Sequence, residues 1–187
     1  MSNDAKIPPK ATHSDLDLSR FPSAEILGNR SFFWRAAWLV VSAVIFQSRL
    51  PLLPSAVKSA VLRTFGAQIG SGAVIKPRVT IKYPWFLEAG ENLWIGEMVW
   101  IDNPGQVTIG ANVCLSQGVY MVTGNHDYSD AGFRFFARPV TIGDRAWVCA
   151  RAIIPPGSEV ASGTVVPIGS VWQAHRGSAA LSRADSI

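Results

Sequence analysis

"VTIGANVCLSQGVYMVTGNHDYSD", residues 107 to 130, repeats with a period that is neither helical nor simply alternating. Ile109, Leu115 and Met121 are six residues apart, and Val113 and Val119 follow the first two at a distance of four. An amphipathic helix needs apolar residues every three or four positions, and a half-buried strand needs them at every second. A repeat of six marks a parallel β-helix. Three hexads close one triangular coil, the large aliphatic residue points inward from each short strand, and the small residue fills the tight space near the corner. At Asn125, His126 and Asp127 the repeat stops.

Upstream the anchors are Ile69, Ile75, Ile81 and Leu87. After a slip of two come Ile95 and Ile101, and after a second slip of two, Ile109. Downstream they resume at Ile142 and continue through Val148, Ile154, Val160 and Val166. Gly70, Gly96, Gly110 and Gly143 follow four of the anchors, where turn dihedrals disfavour a Cβ. The expected fold is an all-β solenoid whose coils bury their apolar faces only against their neighbours, about 4.8 Å apart. The slips read as small corner bulges. Residues 126 to 138 form an excursion of about a dozen residues, and long excursions from a rigid scaffold are commonly functional. His126 reads as the first residue out of the coil.

Four parts are expected: a flexible arm over residues 1–24, a helical segment over 25–66, the β-helix over 67–171 and a tail over 172–187. "SFFWRAAWLVVSAVIF", residues 31 to 46, predicts a short apolar helix. It falls short of the 20 or so apolar residues that span a bilayer. Two placements stay open for it: burial against the protein, or contact of residues 31–50 with a membrane surface. The second arises because residues 30 to 68 carry Arg30, Arg35, Arg49, Lys58 and Arg63 and no acid. "LPSAVKSAVLRTFG", residues 53 to 66, predicts a second helix. Ser55 would cap it, Val57, Val61, Leu62 and Phe65 would form its apolar face, and Gly66 would end it.

With 48% apolar and 16% charged residues, the chain of 187 can build a core, and a net charge of +4 is too weak and scattered to argue for nucleic acid. It suits an anionic, phosphorylated ligand. Cys114 and Cys149 sit in apolar repeat sequence and read as buried, reduced thiols, not as a disulfide or a metal site. Residues 1 to 20 are polar, with no apolar run of a secretory leader. The expected location is cytoplasmic, with peripheral contact at the inner membrane as the open alternative.

"IGSGAVI", "LWIGEMVWI", "VTIGANVCLSQGVYMVTGNHDYSD", "PVTIGDRAWVCARAIIPPG" and "GTVVPIGSV" together resemble the hexapeptide-repeat acyltransferases, most nearly the colanic-acid-type branch of the maltose/galactoside O-acetyltransferase group. The resemblance covers roughly residues 50 to 171. It implies a left-handed β-helix, a hand that the spacing does not give, and assembly as a homotrimer. It also implies acetyl-CoA as acyl donor, held in a groove between neighbouring prisms, and a sugar or exopolysaccharide precursor as acceptor, with no metal.

His126 matches the catalytic histidine of that family. A hydroxyl is a poor nucleophile near neutral pH, and a positioned imidazole can take its proton as the oxygen attacks a thioester. No Gly-x-Ser-x-Gly elbow is present, which agrees with direct transfer. On the acceptor side the candidates are Asn103 and Asp102, Asn125, Asp127 and Tyr128. "DNPG" is equally plain turn chemistry. Asn125 falls at the small-residue position of its hexad, where an amide needs a partner. Asp127 would fix the imidazole tautomer or cap the loop. On the donor side the resemblance points to Trp147, Ala150 and Gly169, and two readings stay open for Arg151: a phosphate contact, or a side chain that merely faces solvent.

The C-terminus departs from the family. "GSVWQAHRGSAALSRADSI" has Gln173 and Ala174 where Thr and Lys are usual, and lacks the Gly-Asn-Pro-Ala segment that helps hold the nucleotide end of coenzyme A. Arg176 or Arg183 are the substitutes on offer. This departure keeps open a second reading, a non-catalytic β-helix scaffold that has lost donor binding. A hexapeptide-repeat carbonic anhydrase would need three metal-binding histidines, and only His126 lies in the repeat region.

Overall fold

The computed structural model describes residues 17–21, 30–47, 53–127 and 130–172. Two helices, α1 (Phe32–Ile45) and α2 (Ser55–Thr64), precede a parallel β-helix. Its first face stacks β1 (Gln68–Ile69), β4 (Leu87–Ala89), β7 (Val107–Ile109), β12 (Val140–Ile142) and β15 (Glu159–Val160). The second stacks β2 (Val74–Ile75), β5 (Trp94–Ile95), β8 (Cys114–Leu115), β13 (Trp147–Val148) and β16 (Val165–Val166). The third stacks β3 (Thr80–Ile81), β6 (Trp100–Asp102), β9 (Tyr120–Val122) and β14 (Ile153–Ile154). Every pairing within these faces is parallel and joins strands of successive coils.

The predicted anchors are the core. Ile75, Ile95, Leu115, Val148 and Val166 are in register on the second face and all are buried. Each such side chain contributes about 1.5–3 kcal/mol by leaving water. The expected anchor Leu87 needs correction. Ile69 pairs with Ala89, while Leu87 opens β4 and pairs with Val107. Leu87 and Ala89 both face inward, and size alone favoured the wrong one. The first slip therefore lies between Ile81 and Ala89, at the same corner as the second, between Ile101 and Ile109. Gly96 is required by close approach: a Cβ there would stand 2.6 Å from the Gln117 nitrogen of the next coil.

The outward residues differ by face. Gln68, Glu88, Thr108, Thr141 and Glu159 line the first. Trp94, Cys114, Trp147 and Val165 line the second, and Trp100, Tyr120, Ile153 and Val171 the third.

The helices cover the start of the solenoid. Ser31 caps α1, its hydroxyl accepting the Trp34 N–H at 3.3 Å. Trp34 and Trp38 pack on Phe65, and Trp38 Nε1 donates to the Ile81 carbonyl at 2.9 Å. Only this side of α1 is packed; Phe33, Leu39 and Val44 point outward. In α2 the expected cap is corrected. Pro54 occupies the N-cap, and the Ser55 hydroxyl instead accepts the Ile75 N–H at 3.0 Å. Leu62 and Phe65 are buried as expected, but Val57 is exposed. Lys58 takes the inward place, its ammonium donating to the Ile75 carbonyl at 3.1 Å.

Candidate active site

One edge of the prism, between the third and first faces, takes all the irregularity. In the first coil it carries a 3-10 turn, Pro84–Phe86. In the second it carries the Asp-Asn-Pro-Gly bulge, and in the third an antiparallel hairpin of β10 (Gly124–His126) and β11 (Phe135–Ala137). The excursion thus leaves the coil at Gly124, two residues before the expected point, and it is paired strand at its base.

Tyr83, Asn103 and Thr123 recur at intervals of 20 residues along this edge. Asn103 is fully buried. Its Nδ2 donates to the carbonyls of Tyr83 at 2.8 Å and Phe86 at 3.3 Å, and its Oδ1 accepts the Tyr83 N–H at 3.1 Å. Thr123, equally buried, was missed by sequence reasoning; its hydroxyl accepts the Gly105 N–H at 2.8 Å. Its N–H donates to the Asp102 carbonyl and its own carbonyl accepts from Arg138, so Thr123 roots both sides of the hairpin.

On that root stands His126, half-buried and paired with Phe135 across the hairpin. Its Nδ1 lies 2.9 Å from the Phe133 carbonyl oxygen. A carbonyl only accepts, so a neutral imidazole here holds its hydrogen on Nδ1 and keeps the Nε2 lone pair available. The ring stacks on Phe133 with centroids 4.2 Å apart and planes 5° from parallel. Phe135 meets it edge-on at 5.4 Å. Phe133 has φ +54°, sparse for a residue with a Cβ, and strain of this kind gathers at functional sites. A third ring comes from far away in sequence: Phe21 lies 5.3 Å from His126. The Asp17 N–H donates to the Ala131 carbonyl at 2.8 Å, so residues 17–21 of the expected arm rest on the hairpin.

The other acceptor-side candidates surround this root. Asn125 does not fill a small-residue position inside the coil; Thr123 has taken the corner, and Asn125 is exposed, its Oδ1 accepting the His126 N–H at 2.8 Å. Asp127 pairs with Arg134 at 3.2 Å, leaving tautomer control with the Phe133 carbonyl. Asp102 pairs with Lys82 at 2.9 Å. Tyr128 lies outside the described residues, as do Gln173, Ala174, Arg176 and Arg183.

The donor-side candidates form a separate group. Trp147 is exposed on the second face, its Nε1 donating to Ser116 Oγ at 2.9 Å. The Gly169 N–H donates to the Ala150 carbonyl at 2.9 Å, joining those two across coils. Arg151 is exposed at the same corner, in a left-handed turn with φ +59°. In a triangular section the second face is opposite the edge that carries His126. Within one chain the two candidate groups therefore do not meet.

Cys114 and Cys149 are free, but half-buried where full burial was expected. Cys114 is the outward residue of its strand and Cys149 starts a corner. Burial, and then the neighbouring Cys114, push the Cys149 thiol up, away from a nucleophilic thiolate. No cluster of three or more metal-ligating side chains exists among the described residues. A cavity of about 600 Å³ lies between α1 and the third face, lined by Trp38, Leu39, Lys82 and Trp85 among others, and not by His126.

Over 129 residues the chain is 39% identical to the putative colanic acid biosynthesis acetyltransferase WcaF of Escherichia coli K12, covering 69% of this chain and 70% of that one. The chain belongs to the hexapeptide-repeat acetyltransferase family. This acetyltransferase is also 28% identical over 118 residues to the galactoside O-acetyltransferase of Escherichia coli K12, covering 61% of this chain and 58% of that one. No family model matches. Among solved structures, a hexapeptide-repeat-containing acetyltransferase from Vibrio cholerae O1 biovar eltor, complexed with acetyl coenzyme A, superposes with a TM-score of 0.67. The two are 20% identical, with 75% of this chain and 76% of that one covered. The fold of this acetyltransferase is accordingly the left-handed parallel β-helix.

Proposed function

We propose that this acetyltransferase moves an acetyl group from acetyl-CoA to a hydroxyl of a sugar or exopolysaccharide precursor, with His126 as general base. The observation that carries the proposal is the hydrogen bond from His126 Nδ1 to the Phe133 carbonyl. It orients the ring and directs the basic Nε2 away from the hairpin backbone. In the reaction Nε2 takes the acceptor's hydroxyl proton as that oxygen bonds to the thioester carbonyl carbon. The carbonyl oxygen carries the negative charge of the tetrahedral intermediate, which backbone N–H groups can stabilise. Collapse breaks the carbon–sulfur bond, and the leaving thiolate recovers the proton from the imidazolium. The colanic acid relative supports a polysaccharide-related acceptor.

The separation of the two candidate groups supports assembly as a homotrimer. The His126 edge of one prism would face the Trp147 face of the next, where Trp147, Ala150, Arg151 and Gly169 would hold the donor. Asn125 and Asp127 would border the acceptor.

The test measures acetyl-CoA binding by calorimetry and acetyl transfer to a panel of sugars, for wild type and His126→Ala. Both proteins should bind donor, and transfer should fall about 10²–10⁴-fold in the variant. Undiminished transfer by His126→Ala would remove the base from the mechanism. No donor binding by wild type at millimolar acetyl-CoA would favour the scaffold reading.

A further inference from the structure

We infer that the outward face of α1 docks this protein on an anionic membrane surface. Unlike an ordinary surface helix, α1 is apolar on both sides. Its packed side holds Trp34, Trp38, Val41 and Ile45 with Ser42, and Arg35 lines the adjoining cavity. Every α1 residue with an exposed side chain is Phe, Leu, Val or Ala. Phe33 is 83% exposed, Phe32 and Leu39 69% each, Val40 64% and Val44 63%. Helical spacing places these side chains on one continuous stripe. An apolar patch of this kind marks an interaction surface.

Charge selects the occupant. From Ile26 to Leu87 the chain has eight Lys or Arg and no Asp or Glu. Arg30 is exposed two residues before α1, while Arg35 and Lys82, the latter paired with Asp102, line the cavity beside the helix. A second copy meeting this end about a two-fold axis would bring like charges together. Anionic headgroups meet both requirements at once: they accept the cations while the acyl region takes the phenyl and aliphatic groups. Fourteen residues rise roughly 21 Å, less than the hydrocarbon thickness of about 30 Å, so α1 lies in the interface plane. No described helix is long and apolar enough to cross a membrane.

The experiment is flotation of the full-length protein with vesicles of phosphatidylglycerol and phosphatidylethanolamine, beside vesicles of phosphatidylcholine alone. Wild type should float with the anionic vesicles, weakly with the neutral ones, and less as salt rises. The double variant Leu39→Glu with Val44→Glu should lose vesicle binding at least about tenfold. The milder Phe33→Ala, at the most exposed site of the helix, should lose it a few-fold if the double variant does not fold. Circular dichroism and light scattering on each variant separate lost binding from lost structure. The inference is overturned if wild type floats with neither vesicle, binds both equally, or binds no better than the folded variants. It is equally overturned if wild type ignores vesicles and the variants break an oligomer, since the stripe is then a contact between copies.

Discussion

Asn103→Ala is the substitution that decides what the buried edge amide does. Asn103 spends its side chain on three neutral hydrogen bonds at 2.8, 3.1 and 3.3 Å and has no exposed surface. Each is worth about 1 kcal/mol net, and the stranded Tyr83 N–H adds a desolvation cost of about 1 kcal/mol or more. The expected loss is roughly 3–4 kcal/mol, a fall in Tm on the order of 10 °C for a chain of this size. Asn103→Asp should be at least as damaging, because a carboxylate facing the Tyr83 and Phe86 carbonyls cannot donate. Urea unfolding at fixed protomer concentration, together with acceptor KM on the folded fraction, is the assay. Low stability with KM near wild type is the expected result. Stability within about 0.5 kcal/mol of wild type, joined to a raised acceptor KM, would refute it and make Asn103 a substrate contact.

Gly96→Ala should cost about 1–3 kcal/mol in urea unfolding, because the new Cβ meets fixed backbone of the next coil. Gly163→Ala, with φ +72° and nothing within 4 Å, should cost only about 1–2 kcal/mol from backbone strain. Burial, then Lys76, lowers the Lys58 pKa. The unfolded chain then binds more protons between that value and 10.5, so Lys58 makes stability rise with pH across this window. Burial raises the Tyr83 pKa despite nearby cations, so above about pH 10 the folded chain keeps a proton that the unfolded chain loses, and stability falls. Unfolding at a series of pH values from 8 to 11 should show a rise that Lys58→Met abolishes, and a later fall that Tyr83→Phe reduces. Cys149 should react with iodoacetamide more slowly near pH 8 than an unperturbed peptide thiol, measured by mass spectrometry on Cys114→Ser protein.

The solenoid was legible because each coil repeats one demand, a large aliphatic residue where three short strands turn inward. Coil length was less legible. In β4 both Leu87 and Ala89 face inward, and only the 20-residue recurrence of Tyr83, Asn103 and Thr123 reveals which is in register. His126 could be singled out, since the hexads end beside it. Its surroundings could not. Phe133 orients it through a backbone carbonyl, a group every residue has, and Phe21 reaches it across more than a hundred residues. Short hairpin strands such as Gly124–His126 carry too few alternations to be told from a loop. The helix at Phe32–Ile45 was foreseen, but a segment apolar all round does not say which side it packs.

Coil lengths separate wear from wall. Ile69 is followed by Ala89 and then Ile109 at 20-residue steps, Ile142 comes 33 later, and Val160 only 18 after that. Strand register on all three faces survives every one of these changes, because the surplus always leaves at a single edge. The frame can thereby carry a longer or shorter segment at Gly124–Ala137 without displacing a strand on the opposite face. Such a prism can change length along one seam and keep its other two edges as they are.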